Sequence, residues 1–203
     1  VRNTQYFGEP PAFEQVVLRT VPESASAFQG LLAGALDETR LTAVQRKEAA
    51  ASGHVRELVY DELAYTYFAW NNRLPQFDDA RVRRALTMLI DREAIARNLY
   101  GGLARPANGP LPPGLWPYDP TLAPLPHDPA KAAALLDEAG FRKGKDGVRA
   151  KGATRLSFSL TFGAGSDRQR QIPELAQRSF REAGIEMALA PMEWGAFVEK
   201  VDA

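Results

Sequence analysis

The sequence contains no cysteine. That absence removes disulfides, thiolate catalysis and sulfur-ligated metal sites together, and it fixes no redox compartment. Histidine is scarce as well. His54 and His127, 73 positions apart, form no helical ligand pair, so no metal site is expected. There is no run of about 18 apolar residues and no basic-then-apolar leader. Any export signal is therefore expected outside residues 1–203, and the start at Val1 suggests a piece of a longer protein. Charge of either sign is not in excess: 25 Lys and Arg balance 25 Asp and Glu, which argues against nucleic acid as a partner. No Gly-x-Ser-x-Gly elbow, His-Glu-x-x-His or Gly-x-x-x-x-Gly-Lys segment occurs, so nothing points to an enzyme.

What is present is length and pattern. The 203 residues suffice for one large or two small domains, burying about 70% of the unfolded surface. Tyr65-Thr66-Tyr67-Phe68-Ala69-Trp70-Asn71-Asn72 is aromatic and β-favouring and predicts a buried strand, with a break over residues 75–79. Val82, Ala85, Leu86 and Leu89 then recur on one helical face, while Arg81, Arg83 and Arg84 take the other. That basic face suits plain solvation or ion pairing with a protein partner. The tandem Asp78-Asp79 fits a helix start, not a catalytic pair. Asp91 caps a second helix through Tyr100, and Gly101-Gly102 supply its left-handed exit.

Upstream, residues 15–21 form a β-branched run ended by Pro22 and read as a strand. A short helix capped by Ser24, with Phe28, Leu31 and Leu32 inward, and a strand near Leu36 should follow. Residues 42–51 predict a mostly polar helix ended by Ser52-Gly53. Downstream, eight of the 15 prolines crowd between Gly102 and Asp128 and exclude helix and central strand. Leu115, Trp116 and Tyr118 give this connection something to bury, so an ordered loop is expected. Asp128-Pro129 opens a helix with Leu135 and Leu136 inward, ending at Gly140, with Phe141 packed back on it. Lys143, Lys145, Arg149, Lys151 and Arg155 lie among glycines with no aromatic for base stacking, which predicts a solvated hairpin. Leu156, Phe158, Leu160 and Phe162 alternate with polar residues as in a half-buried strand. A loop at 163–166, a helix over about 167–183 that Pro173 distorts or delays, a strand over 185–189 ended by Pro191, and a helix from Glu193 complete the chain.

Strand, Gly163-x-Gly165, helix, strand is the context of a dinucleotide fingerprint, with Glu186 about twenty residues on. Arg168 stands where the third glycine belongs, and Glu186 starts its strand instead of ending it. A plain loop is the better reading, a nucleotide-binding enzyme domain the lesser one, and no cofactor is expected. Trp194 is open to two roles, a core residue at a helix start or an amphipathic ring covering a ligand side chain. Tyr65 and Tyr67 share one face of an extended strand, which suits core packing or strand-type hydrogen bonding to an extended ligand.

Phe77-Asp78-Asp79 with Arg81-Val82-Arg83-x-Ala85-Leu86, then Ile90-Asp91-Arg92-Glu93 and Tyr100-Gly101, then Asp128-Pro129-x-Lys131-Ala132 with Leu135-Leu136-x-x-Ala139-Gly140, keep one order over most of the chain. Together they resemble the family 5 extracellular solute-binding proteins, the peptide-binding components of ABC importers. Three positions depart from the family pattern: Gln76 for a second proline, His127 for tyrosine, and Ala35-Leu36 in a segment usually read Gly-Glu-x-Asp. The resemblance implies an α/β, bilobal fold of the periplasmic-binding-protein type II kind. Residues 1–62 would form part of the first lobe, 63–72 the hinge crossing strand, and 73–203 most of the second lobe. It implies capture of a peptide or related small solute, delivery to an inner-membrane ABC permease, a monomer, and a periplasmic or surface-lipoprotein location. A ligand-sensing domain of a regulator is the alternative. Tyr65, Tyr67, Ser166, Arg168 and Trp194 would line the cleft, Trp194 in a side-chain pocket, with room for a larger ligand beside Gly163 and Gly165. The acid that anchors a peptide amino terminus in this family lies beyond Ala203, so this chain alone is expected to bind peptide weakly or not at all.

Overall fold

Four helices of this chain start where a short polar side chain takes the first free amides. Thr42 accepts from Gln45 N while the Gln45 side chain accepts from Thr42 N, a reciprocal capping box opening α2 (Ala43–Ser52). Asp79, Asp91 and Asp128 open α3 (Ala80–Leu89), α4 (Arg92–Tyr100) and α5 (Pro129–Glu138), their carboxylates accepting from Arg81, Ala94 and Lys131 N at 2.8 Å each. α1 (Ser24–Leu32) differs from expectation: Ser24 is its first helical residue, Glu23 holds the cap position, and no side chain caps it. The Arg81 guanidinium also grips Asp79, and these bonds hold that carboxyl down at about 2.

The computed structural model describes residues 2, 3, 5–165 and 167–202, without the side chains of residues 167, 168 and 202. It divides into two units, Val1–Val59 and Tyr60–Ala203. In the first, α1 and α2 bury Ala27, Phe28 and Ala49, Gln45 Nε2 donates to Ser24 O (3.0 Å), and Arg46 pairs with Glu57. The strands expected over 15–21 and near Leu36 are not formed; Val16, Val17 and Leu18 are exposed. β-branching favours a pleated, half-buried surface, and among the described residues none pairs with this run.

The second unit carries the main core. Val82, Ala85, Leu86 and Leu89 of α3 face Ala132 and Leu136 of α5 and Phe180 of α6 (Asp167–Glu182), all fully or almost fully buried. Asp128 N donates to Met88 O (3.0 Å), fixing the start of α5 on the end of α3. Arg83 donates to the carbonyls of Phe77 and Asp78, and Arg81 to that of Glu138. Two of the three arginines on the polar face of α3 thus hold neighbouring backbone. The expected hairpin is a three-stranded antiparallel ribbon, β1 (Arg142–Lys143), β2 (Arg149–Lys151) and β3 (Thr154–Arg155). Its central Arg149 is not solvated: 4% exposed, it donates to Ala183 O (2.9 Å), Phe141 O (2.8 Å) and Asp137 Oδ1 (2.7 Å).

β4 (Ser157–Gly163) and β5 (Glu186–Met192) pair in parallel, Ser157 opposite Glu186 and Gly163 opposite Met192, with α6 as the crossover. β5 runs through Pro191 to Met192 where sequence reading ended it, because a proline is tolerated at an edge. Pro173 likewise sits inside α6, whose start at Asp167 is not delayed. α7 (Trp194–Asp202) follows. Phe68, Trp70, Phe77, Phe158 and Phe180 form one aromatic cluster, the Phe77 and Phe158 rings meeting edge to face at 5.0 Å. The proline-rich segment contains no helix or strand, as its composition requires, and is held by Arg92, which donates to the carbonyls of Leu125 and Ala107, and by Asn108, which donates to those of Asp119 and Leu122. Trp116, expected to anchor that segment by burial, is instead 96% exposed. Side-chain hydrogen bonds from Arg92 and Asn108 to backbone carbonyls order the segment in its place.

Candidate functional site

A parallel pair brings both carboxyl ends to one edge, and in open α/β sheets that edge is where ligands bind. Here Gly163, Ala164 and Gly165 leave β4 beside Met192 and Glu193 leaving β5, with Ala164 N donating to Met192 O (3.0 Å). Arg170, in the first turn of α6, donates from Nε and Nη2 to Ala164 O (3.3 and 3.0 Å) and ties the loop to its helix. Glu193 Oε2 accepts from Gly195 N (2.7 Å) and Ala196 N (3.3 Å), which fixes the first turn of α7 and with it the backbone of Trp194.

The Trp194 ring lies against Gly163. A Cβ built on that glycine would stand 2.7 Å from Cε3 and 3.1 Å from Cζ3 of the indole. Phe197, at 5.6 Å between ring centroids, flanks it, and 55% of Trp194 remains exposed. The room expected beside Gly163 for a larger ligand is therefore filled by the protein's own tryptophan. The dinucleotide fingerprint also needs its first glycine in a tight turn, whereas Gly163 is the last residue of β4 and lies under the indole. Glu186 adds to this, since its carboxylate accepts from Ser157 Oγ (2.9 Å) at the amino end of the pair, away from the loop.

Tyr65 and Tyr67 do share a face, their rings 5.4 Å apart and tilted by 38°. They are exposed, 43% and 66%, while Phe68 and Trp70 turn the other way into the core cluster. Alternation is thus as read from the sequence, but the buried, paired strand is not formed: no described residue supplies a ladder partner, and both tyrosines lie outside the core. Ser166 lies outside the described residues, as does the side chain of Arg168. Among the described residues no ring contact links the tyrosine pair to Trp194, so the structure shows two patches on this unit.

Sequence reasoning missed a pocket of about 230 Å³ between residues 69–77 and β4. Trp70, Phe77 and Phe158 give it an aromatic wall, and Asn71, Gln76 and Ser159 its polar groups. It also missed Arg170 and Glu193, because glutamate is an uncommon cap and an arginine within a polar helix carries no signal of its own. Among the described residues no group of His, Asp and Glu is arranged to hold a metal, and no helix is long and apolar enough to cross a membrane.

The model of the family described as bacterial extracellular solute-binding proteins, family 5 Middle, matches residues 1–203. The oligopeptide-binding protein AppA of Bacillus subtilis is 29% identical over 203 residues, covering 98% of this chain and 37% of that protein. Its structure in complex with a nonapeptide superposes with a TM-score of 0.78 over 88% of this chain and 36% of that one. Di/tripeptide-binding protein 2 of Pseudomonas aeruginosa is 32% identical over 204 residues, covering 99% and 36%. NikZ of Campylobacter jejuni, solved with Ni(L-His), is 30% identical with a TM-score of 0.59 over 63% of this chain and 26% of that one. The chain thus spans little more than a third of the length of the curated relatives it matches, 37% and 36%.

Proposed function

This chain belongs to the bacterial extracellular solute-binding proteins of family 5, and from that premise we propose that the protein carrying it captures a peptide or chemically related small solute between two lobes and passes it to a membrane ABC permease. It breaks no bond and uses no cofactor. The observation that carries the reading is Trp194, a half-exposed indole held at the carboxyl edge of a parallel strand pair by a capped helix start. A large ring in that position covers a ligand side chain by area, with little demand on its identity. Tyr65 and Tyr67 offer hydroxyls and an unpaired extended backbone to a stretched ligand, in the manner of strand addition. Ser166 and Arg168 complete the proposed set of ligand-contacting residues. Residues 1–62 belong to the first lobe, 63–72 to the hinge crossing and 73–203 to the second lobe, with closure driven by the ligand's extra contacts in the closed state. The protein acts as a monomer in the periplasm or anchored at the cell surface.

Relatives named for oligopeptides and for di- and tripeptides, and one solved with a nickel–histidine chelate, support this ligand range. The test is mass spectrometry of solute copurifying with the full-length protein, followed by calorimetry with that solute and with peptides of two to nine residues. A copurifying peptide or amino-acid chelate that rebinds is expected; full-length protein that binds neither peptides nor chelates would end the proposal.

A further inference from the structure

We propose that Gly163 is a positioning residue: it seats the Trp194 indole and thereby sets how large a ligand side chain fits in front of that ring. This rests on the reading of the β4–β5 edge as a solute site. A glycine in or at the end of a strand often marks a close approach by another group. Conformation is not the cause, because Gly163 is not among the chain's positive-φ glycines and any residue adopts its backbone. The cause is approach. The glycine is buried, and the six-membered ring of Trp194 occupies the space where a side chain would begin. A methyl at 2.7 Å from Cε3 must push the ring back by about 1 Å to restore an ordinary carbon contact. Phe197 lies 3.8 Å from the same Cβ position and blocks retreat on that flank. The indole is displaced toward its exposed side, and the space for a ligand side chain shrinks accordingly.

The experiment compares wild type, Gly163→Ala, Trp194→Leu and the double variant of the full-length protein. The probes are Ala-Ala-Ala, Ala-Leu-Ala and Ala-Phe-Ala in calorimetry, and 5-fluorotryptophan in 19F NMR. Gly163→Ala is expected to shift the Trp194 resonance and leave those of Trp70 and Trp116 in place. It should weaken Ala-Phe-Ala relative to Ala-Ala-Ala by about tenfold, the scale of a methylene in an apolar pocket. In the Trp194→Leu background the same substitution should change that ratio by less than about twofold, since no ring remains to displace. The double variant also separates seating from a folding defect, because a structural role for Gly163 would persist without Trp194. An unmoved Trp194 resonance, an equal loss for all three peptides, or an undiminished effect in the Trp194→Leu background would overturn the proposal. Absence of binding by wild type would instead sink the reading of the site as a peptide site, and with it the selectivity step, while the NMR arm still decides whether Gly163 seats the ring.

Discussion

Replacing Arg149 by alanine should unfold this chain more readily than any other single change in its basic run. Arg149 sits in β2 with its side chain 5% exposed, and its guanidinium serves the ends of two helices at once. Nε donates to Ala183 O just past α6, and Nη1 to Phe141 O just past α5 and to Asp137 within it. A cation at two helix carboxyl termini is favourably placed against both dipoles. Truncation leaves two carbonyls without partners, each worth about 1–3 kcal/mol when fully deprived. Asp137 tempers the loss, because it is 40% exposed and keeps Arg142 at 3.4 Å, so it need not become a stranded charge. The cost expected for Arg149→Ala is therefore about 2–4 kcal/mol, below the figure for breaking a fully buried ion pair. Arg149→Lys keeps the charge but loses the fork and should fall between the two. Urea unfolding followed by circular dichroism at neutral pH measures the series, and repeating it in about 0.5 M salt isolates the buried part, since exposed pairs are screened. An Arg149→Ala stability within about 0.5 kcal/mol of wild type, the range of an ordinary surface change, or a difference that vanishes in salt, would refute this. A second check is the carboxyl of Asp137, which the Arg149 hydrogen bond holds below its usual range and which should rise toward it in the variant.

Three further outcomes follow from the same geometry. Asp79, held at about 2 by Arg81, contributes stability that is complete above the ordinary carboxylate value and is lost as pH falls toward 2. Asp79→Ala should cost about 1 kcal/mol near neutrality and progressively less below pH 4; a difference constant from pH 6 to pH 2.5 would contradict this. Gly184→Ala meets Gly147 O at 2.7 Å with φ at +84°, whereas Gly53→Ala at φ +69° meets nothing within 4 Å. The first should cost about 2–3 kcal/mol and the second about 1, so equal costs in thermal unfolding would refute the distinction. Trp194→Ala should weaken solute binding by tenfold or more with little change in melting temperature, as befits a half-exposed ring in a contact role; unchanged affinity by calorimetry would remove Trp194 from the site.

What the sequence made legible was local. Asp79, Asp91 and Asp128 cap the helices expected of them, and the apolar stripe of α3 is buried as its spacing predicts, because both depend on residues within a turn or two. Ser24 failed as a cap because α1 begins one residue sooner, a margin that propensity does not resolve. Strands at 15–21 and 65–70 were misread for a deeper reason: a ladder needs a partner distant in sequence, and β-propensity is silent about whether one exists. Arg149 hid among other basic residues, since nothing in its neighbours distinguishes a buried guanidinium from a solvated one. In the candidate site, Trp194 was legible by type and by the motif around it. Its contact with Gly163 was not, because 31 positions separate them and only the parallel register brings them together.

That register has a consequence for how the second unit assembles. β4 and β5 are joined by no tight turn, so they do not zip from one end as a hairpin does; their pairing closes over α6, whose Phe180 and Ala176 lie in one core with α3. Amides of β4, α6 and β5 should accordingly exchange with solvent as one block. The edge that presents Trp194 is complete only once β4 and β5 have paired over that crossover.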